Sequence, residues 1–299
     1  MPGTFWPLST GPVYVEDEGQ GIPIVCVHGL GGSHLNWRPA AKALGQIGRV
    51  IALDLPGFGY SPPGRRSTIG AYVDTVTELI AGLGRPALLI GNSMGGVVAL
   101  ETAYRSPQLI EGLVLINPAL PLAPGARDID RETAPRLLIQ SIPVVGTRMV
   151  ARYLEGTTPE VQVWDALGVV CANRDRVPMT VLTEGTRFAA MRRRQPWTAA
   201  THARSARSTA LRLFRRRHML DQLAAVQPPT LVIFGAKDRI IPPSSHRRVR
   251  ELRPDWTVLE IKDCGHCPQI EDPEMTADLI RTWWDESGAK VPEGNAAAG

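Results

Sequence analysis

Apolar residues in this 299-residue chain gather into short unbroken runs rather than strict alternation. Residues 24–28, 50–54, 87–91, 113–116 and 230–234 are such runs, and 257–261 is a less pure one. Runs of that length predict strands covered on both faces. Residues 13–16 alternate in part and predict an edge strand. Helix-compatible stretches at 69–83, 94–105, 244–252 and 273–286 fall between the runs, so strand and helix alternate along the chain. That rhythm predicts an α/β fold with a mostly parallel sheet and helices on both faces. It breaks once. From 121 to 220 no strand pattern appears, only helical stretches separated by Pro and Gly. Because this segment lies between two sheet strands, it reads as a helical cap inserted into a core made of 1–120 and 221–288. Residues 289–299 are small and polar and are expected to be a disordered tail.

Composition changes this picture little. Apolar residues make up 43% and charged ones 21%, as in a globular protein with ample core material. No stretch approaches a membrane span, and the N-terminal residues lack the pattern of a secretory signal. Four cysteines are too few for a disulfide scaffold. A cytoplasmic location is therefore expected.

The net charge of +4 is unevenly spread: between Pro121 and Leu220 lie 17 Arg and no Lys against 8 Asp plus Glu. This leaves that segment at +9 and the remainder at −5. The excess reads either as a solvated helical face or as a funnel for an anionic substrate or surface. No nucleic-acid module accompanies it.

The chemistry concentrates at Gly91-Asn92-Ser93-Met94-Gly95-Gly96. An apolar run stops on Gly-x-Ser-x-Gly and passes at once into a helical stretch, the context of a nucleophile elbow. Such a turn strains Ser93, lifts its hydroxyl clear of the sheet, and excludes a Cβ at Gly91 and Gly95. A serine needs a base, and the base needs an acid to orient it. Asp238 follows the run 230–234 on the loop past a strand, where doubly wound sheets gather their sites. His266 follows the last strand. Asp263 and Asp272 lack that placement, and Asn117, an amide at a strand end, cannot serve as the acid. The turn His28-Gly29-Leu30-Gly31-Gly32 supplies the Leu30 N–H as an oxyanion donor, with the Met94 N–H as its partner.

Taken together these residues resemble the α/β-hydrolase fold superfamily. The likeness runs through His28-Gly29-x-Gly31, Asp54-Leu55-Pro56-Gly57-Phe58-Gly59-Tyr60-Ser61 and the elbow. It continues in Gly235-Ala236-Lys237-Asp238 and Gly265-His266-x-Pro268-x-x-Glu271-x-Pro273-Glu274. It implies an eight-stranded, mostly parallel sheet, a helical cap and the triad Ser93, Asp238, His266. It also implies an acyl-enzyme route for a small-molecule carboxylic ester, with no metal or organic cofactor.

The elbow is similar, too, to that of the branch hydrolysing carbon–carbon bonds in meta-cleavage ring-fission products. That branch places an Arg in the cap, for which Arg187 is the candidate, and usually a Trp after the catalytic His. Here Cys267 stands in the Trp position, a departure from the branch. Trp37, soon after the oxyanion turn, is a candidate for lining the acyl pocket or for plain packing. Asn92, His28 and Asp54 read as loop braces, and the remaining histidines carry no motif. A non-catalytic binding protein on the same fold is the alternative of another class, although it would have no need of an intact triad. Cys264-Gly265-His266-Cys267 also spells a redox C-x-x-C. It lies far from the helix N-terminus near the start of a small βαβ domain that such chemistry uses. Two cysteines alone do not make a structural zinc site. Oligomeric state is not legible.

Overall fold

The computed structural model describes residues 3–121 and 130–287; the tail expected at 289–299 lies outside the described residues. Eight strands form one sheet: β1 Gly3–Leu8, β2 Gly11–Glu18, β3 Pro23–Val27, β4 Arg49–Leu53, β5 Ala87–Asn92, β6 Ile110–Ile116, β7 Thr230–Gly235 and β8 Thr257–Ile261. Their order is β1-β2-β4-β3-β5-β6-β7-β8. The β1–β2 and β2–β4 pairs are antiparallel and every other pair is parallel.

Period-2 geometry explains why the central strands read as unbroken apolar runs. Val25, Val27, Leu89, Leu113, Leu115, Val232 and Phe234 point into one core layer. Their neighbours Ile24, Cys26, Leu88, Ile90, Val114, Ile116, Leu231 and Ile233 point into the other. With helices on both sides no strand position can be polar without being buried. The first layer is closed by α2 (Ile69–Gly82) and α3 (Met94–Arg105), and the second by α1 (Arg38–Leu44) together with the last helix. Among the described residues, six α-helices lie between β6 and β7: α4 Thr133–Gln140, α5 Val145–Gly156, α6 Pro159–Val170, α7 Met179–Arg192, α8 Thr198–Phe214 and α9 Arg216–Ala225. After β7 come α10 Pro243–Leu252, the short α11 Pro268–Glu271 and α12 Pro273–Glu286.

Besides the four-residue α11, two elements had no signal in the sequence pattern. β1 is a half-exposed antiparallel edge strand carrying Pro7, so it shows neither alternation nor an apolar run. α1 is only seven residues long, too short to display a period. The boundary expected at residue 220 falls inside α9, whose Met219 and Leu223 are buried in the first core layer. Among the described residues, no helix is long and apolar enough to cross a membrane.

Candidate active site

Ser93 stands between β5 and α3 with φ +57° and ψ −117°, a conformation that side chains other than glycine rarely adopt. Its backbone is held on both sides. The Ser93 N–H donates to the Ile116 carbonyl (3.0 Å), and its own carbonyl accepts from Gly96 (3.0 Å) and Ala119 (3.1 Å). The flanking glycines are required sterically. A Cβ on Gly91 would drive into the Gly95 carbonyl, and one on Gly95 into the carbonyls of Val27 and His28.

The other two candidates meet directly. His266 Nδ1 donates to Asp238 Oδ2 at 2.7 Å, and both side chains are buried. Asp238 Oδ1 in turn accepts from the Ile240 (2.7 Å) and Ile241 (3.1 Å) amides, so the loop after β7 fixes the carboxylate before it meets the ring. With Nδ1 engaged as a donor, Nε2 carries the free lone pair.

Two asparagines join this pair to the elbow. Asn92, one residue before Ser93, donates through Nδ2 to the His266 carbonyl (3.1 Å) and to the Ile116 carbonyl (3.1 Å). Asn117, at φ +41° past β6, donates to the Gly265 (3.1 Å) and His266 (3.0 Å) carbonyls and accepts from the Gly235 N–H (3.1 Å). The residue set aside as an acid is thus a brace connecting three strand ends. Glu271 is a second brace. Its buried carboxylate accepts from Gly265 N–H (2.8 Å) and, across from the inserted helices, from Ala172 (3.0 Å) and Asn173 (2.7 Å). It lies in a motif quoted above, but nothing in a sequence announces that a surface-type residue will be buried on three amides.

The turn after β3 packs against Ser93: a Cβ on Gly29 would lie 3.1 Å from that of Ser93. Among the described residues, neither the Leu30 nor the Met94 N–H donates to a protein acceptor. His28 fixes the turn, donating from Nδ1 to the Gly29 carbonyl (2.7 Å) and accepting the Leu55 N–H at Nε2 (3.1 Å). Burial pushes its pKa down, which keeps the ring neutral in that role. Asp54 accepts from the backbone of His34 (2.7 Å) and Tyr60 (2.8 Å) and is likewise a brace. From above, Arg192 of α7 donates to the Gly31 carbonyl (3.0 Å). The His202 ring of α8 lies 3.2 Å from where a Gly31 Cβ would stand. Burial, reinforced by Arg192, lowers the His202 pKa to about 4.

The three sequence candidates for substrate contact sit in different places. Trp37 is fully buried in the core layer beneath α1 and α12, on plain packing duty. Arg187 is exposed and lines an outer groove between α6 and α7 with Trp164 and Leu182. Cys267 is buried in a satellite cluster with Leu167, Cys171 and Ile270, where its thiol donates to Asn92 Oδ1 (3.4 Å). Periodicity cannot separate a core Trp from a pocket Trp, and the alignment through the inserted helices carries no fixed spacing. The redox reading of Cys264 and Cys267 also fails on environment. Both thiols are free and buried, with burial pushing Cys264 up to about 11 and Cys267 well above its usual value. A redox pair needs the opposite shift. No three His, Cys, Asp or Glu side chains converge as metal ligands among the described residues.

Sheet, elbow and strand-end loops define a hydrolase of the α/β type. The family model for the α/β hydrolase fold matches residues 22–273, and the chain belongs to that family. It is 27% identical to the pimeloyl-[acyl-carrier protein] methyl ester esterase of Shewanella sp. (strain MR-7), over 93% of this chain and 96% of that protein. It is 26% identical to a thermophilic esterase from Thermogutta terrifontis, with a TM-score of 0.71 over 96% of this chain and 99% of that one. A meta-cleavage product hydrolase from Pseudomonas fluorescens IP01, at 24% identity and a TM-score of 0.69, covers 93% of this chain and 95% of its own; that likeness concerns the fold alone.

Proposed function

We propose that this hydrolase cleaves small-molecule carboxylic esters through an acyl-enzyme, with Ser93 as nucleophile, His266 as base and Asp238 as its orienting acid. The observation that carries the reading is the buried His266–Asp238 hydrogen bond (2.7 Å), tied by Asn92 and Asn117 to the strained turn that holds Ser93. In this mechanism His266 Nε2 takes the Ser93 proton as Oγ attacks the ester carbonyl. The Leu30 and Met94 amides receive the developing oxyanion, an arrangement worth about a hundred- to a thousandfold in rate per donor. Asp238 stabilises the imidazolium, which then protonates the departing alkoxide. Water, deprotonated by the same imidazole, releases the acid.

The segment 121–220 acts as the cap over this site, with Arg192 and His202 seated on the oxyanion turn. Four unpaired thiols suit a cytoplasmic setting. The carbon–carbon reading loses its support with Arg187 exposed on an outer groove and Cys267 in the place of the Trp. Initial rates on p-nitrophenyl esters of graded chain length, beside a dienone ring-fission product, test the assignment. Ester turnover that vanishes in Ser93→Ala, with the circular dichroism spectrum unchanged, is expected. Activity retained by that variant, or a dienone rate exceeding every ester, refutes it.

A further inference from the structure

We propose that the hairpin formed by α4 and α5 is a docking surface for an anionic lipid bilayer. Its tip is largely aliphatic and exposed. Leu138, Ile139, Ile142, Val144 and Val145 are 52%, 39%, 46%, 58% and 50% exposed, and Pro143 between them is exposed as well. They end one helix and begin the next, so the reversal of the chain gathers them at one place, in contrast to the singly scattered apolar residues of an ordinary surface.

The backbone holds this patch outward. Val144 has φ +64°, a conformation that a β-branched residue adopts only under constraint. Gly146 is buried directly beneath, where a Cβ would drive into the Gln140 carbonyl. A tight turn thus closes below the patch and leaves its side chains above.

Charge identifies the occupant. Across the two helices, Thr133–Gly156, the sequence contains Arg136, Arg148 and Arg152 against a single acid, Glu155, at the end of α5 away from the turn. All three arginines are exposed. Aliphatic side chains on two helices that carry three exposed cations and one acid fit an acyl layer below anionic headgroups. A protein partner would more often be met by aromatic anchors in a polar rim. Pairing this face with itself in a second copy would set three arginines against three.

The inner side of the hairpin leads to the active site. Gln140 Oε1 accepts from His202 Nε2 (2.8 Å), and His202 lies against Gly31 of the oxyanion turn. Docking there brings esters dissolved in the bilayer towards Ser93, a consequence that rests on the serine hydrolase reading above.

Flotation with vesicles tests the surface independently of catalysis. The intact protein is mixed with vesicles of phosphatidylcholine alone, or of phosphatidylcholine and phosphatidylglycerol in equal parts. Binding to the anionic vesicles is expected, with a partition coefficient about tenfold or more below it in Ile142→Asp/Val144→Asp. A similar fall is expected in Arg148→Glu/Arg152→Glu, since each cation near the surface contributes about fivefold. Hydrolysis of a short soluble p-nitrophenyl ester should be unchanged in both, which shows that they fold. Failure of the wild type to float with anionic vesicles overturns the proposal, as does binding retained in the Ile142→Asp/Val144→Asp variant. Dimers in light scattering that this variant dissociates would assign the patch to a second copy instead.

Discussion

Asp238 meets His266 with one carboxylate oxygen and two backbone amides with the other, so its two oxygens are not interchangeable. Asp238→Asn must present its NH₂ either to those amides or to the ring. Facing the ring, it forces Nδ1 to become an acceptor and the proton onto Nε2, which on the proposed mechanism leaves His266 unable to act as base. A loss of about ten-thousandfold in kcat is expected from the same substitution in the serine-protease template, measured on a p-nitrophenyl ester. The thiols give a prediction of opposite character. Burial raises Cys26, Cys171, Cys264 and Cys267 above the usual thiol range, so each stays protonated at neutral pH. Iodoacetamide on the native protein is expected to leave all four unmodified by intact mass and the ester activity unchanged. At this scale the candidate triad was legible because each member sits in a local motif with its own backbone requirement. Trp37, Arg187 and Cys267 were not, because their proposed roles depended on which way a side chain points. Asn117 was visible at its strand end, but its use as a donor to the loop of His266 is a tertiary fact.

The central strands β3 to β7 were legible as elements because two covering layers force them to be apolar nearly throughout, whereas β1 and α1 carry no such demand. The loop between β8 and α11 was legible only as the bearer of a histidine. Its shape is set by Glu271, which holds the Gly265 amide on one side and the amides of Ala172 and Asn173 on the other. Glu271→Gln leaves one acceptor oxygen for three donors and turns an NH₂ against at least one of them. Hydrogen bonds to a buried charged group contribute about 1.5–3 kcal/mol each, so urea unfolding should shift by about 2 kcal/mol. Because the loop carries His266, kcat should fall with KM little changed. The seat of α8 on the turn after β3 makes a second prediction, in pH. His202 titrates near 4 in the folded state against about 6.5 unfolded. Between those values the unfolded chain binds more protons, so its contribution is fully present above pH 6.5 and lost as pH falls towards 4. His202→Gln should flatten the dependence of unfolding free energy on pH across that window, while leaving the slope above pH 7 as it was.

At the scale of the molecule the imbalance of +9 against −5 is partly neutralised where the inserted helices meet the sheet. Arg212 of α8 reaches Glu101 of α3 (2.6 Å) and Arg176 pairs with Asp272, whereas Arg38 of α1 pairs with Glu184 of α7 (2.8 Å) in the reverse sense. These contacts differ in burial, and burial decides what each contributes. Glu101 is only 1% exposed, so its carboxylate has given up its water and depends on Arg212 and on Arg105 (3.3 Å). Removing one partner of a buried pair typically costs about 3–5 kcal/mol. Arg212→Met keeps Arg105 in place, so a smaller loss of about 2 kcal/mol is expected. The pair Arg38–Glu184 is about a third exposed on both sides and should contribute within about 1 kcal/mol. If desolvation governs the interface, Glu101→Leu/Arg212→Met should recover most of the stability lost by Arg212→Met, because the orphaned charge is then gone. Urea denaturation of the two variants and the wild type measures this directly. A double variant no more stable than Arg212→Met would mean that the two side chains hold the helices by packing, and that the charge of the inserted segment serves the surface rather than the joint.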